Sequence, residues 1–392
     1  MTRVTVLTAS RAEFGLLRPV ISRLSSVEQF DVEVVVTGSH LSAYAGATVN
    51  DVLASGVAVS ERIPILLDGD TAADVSKSMG LAMIGFADYF ERAKPDWLLV
   101  LGDRYETLAV CCAAANARIP IAHLYGGELT SGALDDAYRH AITKLSTLHF
   151  TSVEAYRQRV IQMGEDPHRV FTVGALGVEN AMNTTLLDER SLRQELGLED
   201  GRPFAVVTFH PVTQREGTAV EQVDELLGAF EQIPEMFYVF TGANADEGGR
   251  EIDRRIDTWT RGHANGRVFR SLGTLRYLSA LKYSQMVIGN SSSGLVEAPS
   301  FGIPTVNVGD RQKGRVRGPS VIDCLPTRAA ILSAMRKAGM RKFREVSAGS
   351  INPYAGGNTS ERVVRVMERI CLPGMSTEKT FWDLPDTNFG ME

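Results

Sequence analysis

Short, unbroken apolar runs alternate with longer segments of helical spacing along almost the whole chain. Val4 to Thr8, Val32 to Val36, Trp97 to Leu101, Ile119 to Leu124, Leu148 to Thr151 and Val170 to Val173 read as strands in the first half. Between them, Arg11 to Leu24 reads as a helix, and Thr71 to Ala93 repeats Val75, Met79, Ala82, Phe86 and Phe90 at helical spacing. The second half repeats the pattern. Ala205 to Thr208, Phe237 to Thr241, Arg267 to Phe269, Met286 to Ile288 and Pro304 to Val308 read as strands. Val220 to Ile233, Gly249 to Thr260, Thr274 to Lys282 and Gly294 to Phe301 read as helices. Strands that are apolar throughout, without polar alternation, imply parallel sheets covered on both faces.

At 392 residues the chain exceeds what one core holds comfortably, so two α/β domains are expected. The polar stretch from Gly174 to Pro203 is the expected hinge. The fold class is thus α/β, two Rossmann-like domains facing a cleft, with ligand loops just beyond the carboxyl ends of the strands. A net charge of -6 gives no electrostatic case for nucleic acid or an anionic membrane. No apolar run is long enough to span a bilayer, and the start MTRVTVLTAS has no long leader core, so the chain reads as cytoplasmic. The four cysteines form no C-x-x-C pair and read as reduced thiols. No histidine pair has metal-ligand spacing, and no G-x-G-x-x-G opens the first turn, so neither metal nor cofactor is expected.

The candidate chemistry sits at strand ends. Ser10 with Glu13 fits a capping box, and Arg11 beside it is a candidate for holding a pyrophosphate. Gly289-Asn290-Ser291-Ser292-Ser293-Gly294 joins a strand to a helical pattern, and its small residues allow a diphosphate to approach. Glu297, one turn on, suits two vicinal ribose hydroxyls. Asp103 and Arg104 follow Leu101-Gly102, and His123 and Glu128 flank Gly126-Gly127. Asp135, Asp136, Arg139 and His140 open the next helix, with Asp135 and Arg139 on one face. Carboxylates from separate strand ends suit proton abstraction and return. The bland alternatives are helix capping by Asp103, Asp135 or Asp136, and a surface ion pair between Asp135 and Arg139. His210 ends the strand Ala205 to Thr208, a position suited to an acid, a base or a phosphate donor, and His40 follows another strand.

Taken in order, TASRAEFG at 8–15, TGSHLS at 37–42, LGDRYETLA at 101–109, HLYGGELTSGALDDAYRHAITK at 123–144, TFHPVT at 208–213 and GNSSSGLVEAP at 289–299 resemble the hydrolysing branch of the UDP-N-acetylglucosamine 2-epimerase family. The resemblance implies the glycosyltransferase-B architecture: an N-terminal domain over 1–176, a UDP-binding domain over 177–368, and a tail over 369–392 that packs back on the first domain. Phe381-Trp382 would dock that tail on an apolar surface. It implies conversion of UDP-N-acetylglucosamine and water to UDP and N-acetylmannosamine through 2-acetamidoglucal. Asp103, Glu128 and Asp135 would be the acid/base carboxylates, and His210 would sit by the leaving diphosphate. Arg11, Ser292, Ser293 and Gly294 would hold phosphates, Glu297 the ribose, and Arg104 and Arg139 the sugar or phosphate. Asn244 and Gly273 complete the substrate-binding set, although Ala243 stands where the family often has proline. The partner is a UDP-sugar, and a homodimer or homotetramer is expected. Rival readings are the relative that hydrolyses a UDP-2,4-diacetamido-trideoxyglucose, a glycosyltransferase on the same architecture, and a non-catalytic UDP-sugar sensor.

Overall fold

The computed structural model describes residues 1–42, 48–67, 69, 71–130, 134–211, 218–242, 249–270, 272–372 and 378–384. The chain divides into two compact units. One comprises Met1–Glu128, Asp135–Leu176 and Gly356–Glu392, and the other Leu129–Leu134 and Gly177–Ala355.

The first unit holds seven strands: Thr2–Thr8 (β1), Phe30–Thr37 (β2), Val59–Ile63 (β3), Trp97–Leu101 (β4), Ile121–Leu124 (β5), Leu148–Thr151 (β6) and Val170–Thr172 (β7). They pair in parallel in the order β3-β2-β1-β4-β5-β6-β7. Successive residues point to opposite faces, and both faces are buried. Val4, Val6, Leu99 and Leu101 pack with Leu17 and Val20 of the helix Arg11–Leu24 on one side. Leu7, Leu98 and Val100 pack with Phe86 and Phe90 of the helix Ala72–Ala93 on the other. That arrangement explains the absence of polar alternation in these strands.

The second unit holds Phe204–Thr208 (β8), Phe237–Thr241 (β9), Gly266–Phe269 (β10), Met286–Gly289 (β11), Thr305–Val308 (β12) and Val321–Cys324 (β13). Their order is β10-β9-β8-β11-β12-β13, again parallel. Val207 and Ile288 face one apolar cluster, and Val206 and Val287 the other. Among the described residues no helix is long and apolar enough to cross a membrane.

The stretch from Gly174 to Pro203, within which the chain passes from the first unit to the second at Leu176 and Gly177, carries two helices, Leu176–Asn183 and Glu189–Leu196. The second is capped by Asp188, which accepts from the Ser191 N–H at 2.9 Å, and ends at Gly197 in the left-handed region. Two expectations need correction. First, the chain re-enters the first unit at Gly356 and not at 369. Helix Thr359–Ile370 buries Val363, Val364 and Met367 in the cluster that holds Leu17 and Val20, and Arg23 Nε donates to Ser360 Oγ at 2.8 Å. Finally, Phe381-Trp382 does not dock on an apolar surface. Phe381 is 67% exposed and lies 5.0 Å from Lys144 Nζ. The tail's anchor is Lys379, whose Nζ donates to the Lys144 and Ser146 carbonyls at 2.5 and 2.6 Å and pairs with Glu165 at 2.7 Å.

Candidate active site

In an open parallel sheet, connections leave on opposite faces where the strand order reverses, and the crevice there admits a ligand. In the first unit that point lies between β1 and β4. The turn after β1 carries Ser10 and Arg11, the turn after β4 carries Gly102 to Arg104, and the turn after neighbouring β5 carries Tyr125 to Glu128. Gly127, at φ +79°, is required in the β5 turn, because a Cβ there would stand 2.4 Å from the Tyr156 carbonyl oxygen.

Arg139 ties these turns together. It is 1% exposed, so it is not part of a surface ion pair. One terminal nitrogen pairs with the Asp103 carboxylate. The other reaches Asp136 Oδ1 at 3.2 Å and donates to the Glu128 carbonyl at 2.8 Å. A buried guanidinium requires this density of acceptors. Asp135 starts the same helix, Asp135–Leu145. The Glu128 side chain is buried and its Oε1 accepts from Ser152 Oγ at 2.9 Å. The helix Tyr105–Asn116 takes Arg104 as its N-cap with no side-chain capping bond, so Asp103 is not used as its cap. Arg104 Nε donates to buried Glu106 at 3.3 Å. Arg11 is half exposed and pairs with Asp51 at 3.1 Å.

Buried histidines brace the site. Gly102 offers only a carbonyl to His123 Nε2 (2.8 Å), so Nε2 carries the proton; Nδ1 lies 3.2 Å from Thr143 Oγ1, whose hydroxyl donates to the Arg139 carbonyl at 3.0 Å. This link joins the β4 turn to the helix of Arg139. Burial holds His123 down to about 3, and therefore neutral. His40 bonds Thr8 Oγ1 at 3.0 Å and Thr48 Oγ1 at 2.9 Å; burial lowers it to about 4 and both nitrogens are occupied by structural contacts. The capping box is present: Glu13 Oε2 accepts from the Ala9 and Ser10 N–H groups at 2.7 and 3.2 Å. Burial first, and then Glu106, raises Glu13 to about 8.

In the second unit the order reverses between β8 and β11, which places His210 and the serine loop at the crevice. Gly289 has φ +132°, and a Cβ there would overlap the Thr208 carbonyl oxygen at 1.9 Å. Asn290 then clamps the His210 backbone, accepting from its N–H at 2.7 Å and donating to its carbonyl at 2.8 Å. The Asn290 carbonyl accepts from Gln312 at 2.8 Å and Arg311 at 3.2 Å. Burial, and after it the Arg311 charge, lowers His210 to about 3. The standing cation is therefore Arg311, while His210 is a neutral imidazole.

The helix expected over Gly294 to Phe301 is broken into one turn, Ser293–Val296, and a 3-10 segment, Ala298–Phe301, with Pro299 at its start unable to donate. A single turn supplies little dipole. Anion affinity in this loop would rest on Ser292 and Ser293 and on Arg311 nearby. Gly294 is buried, its carbonyl accepting from Thr305 Oγ1 at 2.7 Å. The Glu297 carboxylate lies against Gly177. Gly273, at φ +65°, opens the helix Gly273–Tyr283, and Tyr277 on that helix turns its hydroxyl to Ser293 and Thr208. Asn244 lies outside the described residues.

The first unit thus brings Asp103 and the Glu128 backbone together on Arg139, with Asp135 at the start of the same helix, while Arg104 is engaged with Glu106 and Arg11 with Asp51. The second links His210 to the serine loop through Asn290, and Gly273 to it through Tyr277. Sequence reasoning missed Arg311, Gln312 and Tyr277. The signal for the first was present: Arg311, Lys313, Arg315 and Arg317 follow a strand end in an acidic chain. Tyr277 had none, because its partners are tertiary. Among the described residues no group of three His, Cys, Asp or Glu could hold a metal.

A family model described as UDP-N-acetylglucosamine 2-epimerase matches residues 22–368. The chain is 37% identical over 390 residues to polysialic acid biosynthesis protein P7 of Escherichia coli, covering 98% of each. It is 38% identical over 322 residues to the GDP/UDP-N,N'-diacetylbacillosamine 2-epimerase (hydrolyzing) of Campylobacter jejuni, covering 82% of this chain and 84% of the other. The crystal structure of UDP-GlcNAc 2-epimerase from Neisseria meningitidis bound to UDP-GlcNAc matches with a TM-score of 0.80 at 19% identity, over 94% of this chain and 100% of that one. That likeness shows the fold, the two-unit glycosyltransferase-B architecture.

Proposed function

The chain belongs to the UDP-N-acetylglucosamine 2-epimerase family, and we propose that it is of the hydrolysing kind, converting UDP-N-acetylglucosamine and water to UDP and N-acetylmannosamine. One observation carries the reading: Arg139 gathers Asp103, the Glu128 turn and the helix of Asp135 at the switch point of the first sheet. A glycosyltransferase or a UDP-sugar sensor has no joint use for those carboxylates.

The sugar's C2 proton is barely acidic, so its removal must accompany departure of a well-stabilised leaving group. One carboxylate takes the C2 proton while the C1–O bond breaks, releasing UDP and leaving 2-acetamidoglucal. Water then adds at C1, and a second carboxylic acid returns a proton to C2 on the opposite face. Asp103, Glu128 and Asp135 share these tasks. Arg139 pairs with the Asp103 carboxylate and fixes it, and Arg104 supports the sugar or its phosphate. In the second unit Ser292, Ser293 and Gly294 receive the diphosphate; in the first unit Arg11 is the phosphate-binding candidate. His210 donates one hydrogen bond to the diphosphate and Arg311 supplies positive charge. Glu297 accepts from the ribose hydroxyls, and Gly273 and Asn244 complete the nucleotide contacts.

A second reading keeps the chemistry and changes the sugar. The Campylobacter relative is named for a 2,4-diacetamido substrate, and nothing in the site residues fixes the group at C4. Incubation with each UDP-sugar in D2O, followed by mass spectrometry and NMR, tests both. Free UDP with N-acetylmannosamine deuterated at C2 is the expected result. Turnover of the diacetamido sugar alone selects the second reading. Accumulating UDP-N-acetylmannosamine, or product without C2 deuterium, overturns hydrolysis by elimination.

A further inference from the structure

The second unit carries one strongly basic stretch. From Arg336 to Ile351 it sets Arg336, Lys337, Arg341, Lys342 and Arg344 against a single carboxylate, Glu345. That is a local charge of +4 in a chain whose net charge is -6, so the net value hides it. The stretch covers the last turn of the helix Arg328–Gly339 and the whole of the helix Arg341–Ala348. All five cations are exposed. Glu345 pairs with Arg341 at 2.8 Å, and Lys337 Nζ stands 5.0 to 6.0 Å class distance from Phe343, at 5.6 Å from its ring centre. Arg336, Lys342 and Arg344 form no ion pair among the described residues.

Apolar side chains stand among these cations. Met340, Val346 and Ile351 are 59%, 46% and 86% exposed. The short helix is held to its unit along one edge. Phe343 packs against the buried cluster of β8, β9, β11 and β12, Ser347 is buried, and Ala348 backs onto Gly302, where a Cβ would come within 2.8 Å of its Cα. Phe343 and Ser347 are four apart and share the inner face, so Arg341, Lys342, Arg344 and Val346 turn outward.

Long cations interleaved with free aliphatic side chains complement a layer that is anionic at its surface and apolar just beneath it. Duplex nucleic acid would use the cations and leave the aliphatic groups without a role, and a single strand would need exposed rings for stacking. The only ring of the stretch, Phe343, is half-buried and turned inward. We infer that this face of the second unit docks reversibly on an anionic lipid surface, with the five cations at the lipid phosphates and Val346 and Ile351 in the headgroup layer. Each basic residue close to such a surface is worth about fivefold in partition, so a charge of +4 favours anionic over neutral lipid by roughly several hundredfold at moderate salt.

Flotation of the full chain with vesicles of phosphatidylcholine alone, and of an equal mixture with phosphatidylglycerol, tests this. The wild type should float with the mixture only, and should be released by about 0.5 M salt, which screens the cations from the phosphates. Lys342→Gln with Arg344→Gln removes two cations and should weaken partition about twenty-five-fold. Val346→Thr with Ile351→Ser leaves the charge unchanged and should weaken it about fivefold, through the aliphatic surface that no longer enters the headgroup layer. All four side chains are exposed, and unchanged melting temperatures show that both variants are folded. A wild type that stays behind from the mixture, equal flotation with phosphatidylcholine alone, or a charge variant that floats like the wild type would each overturn the proposal. An aliphatic variant that floats like the wild type would also overturn it, because the stretch would then be a bare polyanion site of the kind a nucleic acid occupies.

Discussion

Glu13→Gln turns a buried carboxyl into a measurable pH dependence. The folded chain raises Glu13 from 4.5 to about 8, burial being the larger cause and the Glu106 carboxylate the next. Between those values the folded state keeps a proton that the unfolded chain releases. The contribution is fully present below pH 4.5, falls as pH rises, and is gone above about 8. At about 1.4 kcal/mol per pH step the loss totals about 5 kcal/mol, of which about 4 falls between pH 5 and 8. The Gln amide oxygen can still accept from the Ala9 and Ser10 N–H groups, while its NH2 takes the place of Oε1, which is buried without a hydrogen-bond partner. The variant therefore keeps the cap and loses the titration. Thermal unfolding by circular dichroism from pH 5 to 9 at constant ionic strength should show similar midpoints at the acid end. With increasing pH the variant should gain on the wild type by roughly 8–16 °C, at about 2–4 °C per kcal/mol for a domain of this size. The buried histidines are common to both proteins and cancel in the difference. Two midpoint curves that run parallel across the range would show that Glu13 is ionised in the folded chain and refute the reasoning.

Asp103→Asn, Glu128→Gln and Asp135→Asn should each lower kcat by roughly 10²–10⁴-fold in steady-state UDP release, and full activity in any of them removes that residue from the acid/base set. Gly289→Ala places a methyl on the Thr208 carbonyl oxygen at φ +132°. It should cost about 3 kcal/mol or more in urea unfolding and weaken UDP binding in calorimetry, because the Asn290 clamp on His210 starts there. Lys379→Met takes a donor from three carbonyls, of which that of Thr143 keeps the Ser146 N–H, and leaves Glu165 with one cation fewer, for a loss of about 3 kcal/mol in the same assay.

The fold was legible wherever burial is two-sided. Trp97–Leu101, Leu148–Thr151 and Phe237–Thr241 stand where their apolar runs place them. The edge strands β3 and β13 were not read. Val59–Ile63 alternates half-buried and exposed residues as V-S-E-R-I, and Val321–Cys324 is buried at one position in four, so neither shows an unbroken run. The polar segment before β8 hid a helix for a related reason: Leu192 and Leu196 are buried while all six remaining residues of Glu189–Leu196 are polar or charged, and one of them, Arg193, is itself buried.

The turns that carry the candidate residues were legible, and their wiring was not. Strand-end reasoning placed Asp103, Glu128 and His210 on the correct turns, because parallel topology brings every carboxyl end to one edge of its sheet. It placed Asp135 and Arg139 on one helix and offered a surface ion pair as the alternative. Spacing along a helix gives the azimuth of a side chain but not its depth. Arg139 proves buried because two turns from different strands converge on its guanidinium, a fact with no local signature. His210 follows the same logic. Its position at a strand end was readable, yet its charge state depends first on its burial and then on Arg311, a residue from the turn after β12. A buried imidazole beside a guanidinium is neutral until an anion arrives, so the diphosphate itself would raise the affinity of His210 for a proton at the moment when donation is needed. Under the proposed function, charge on this side of the site would thus come from the fixed arginine, with the histidine responding to the ligand.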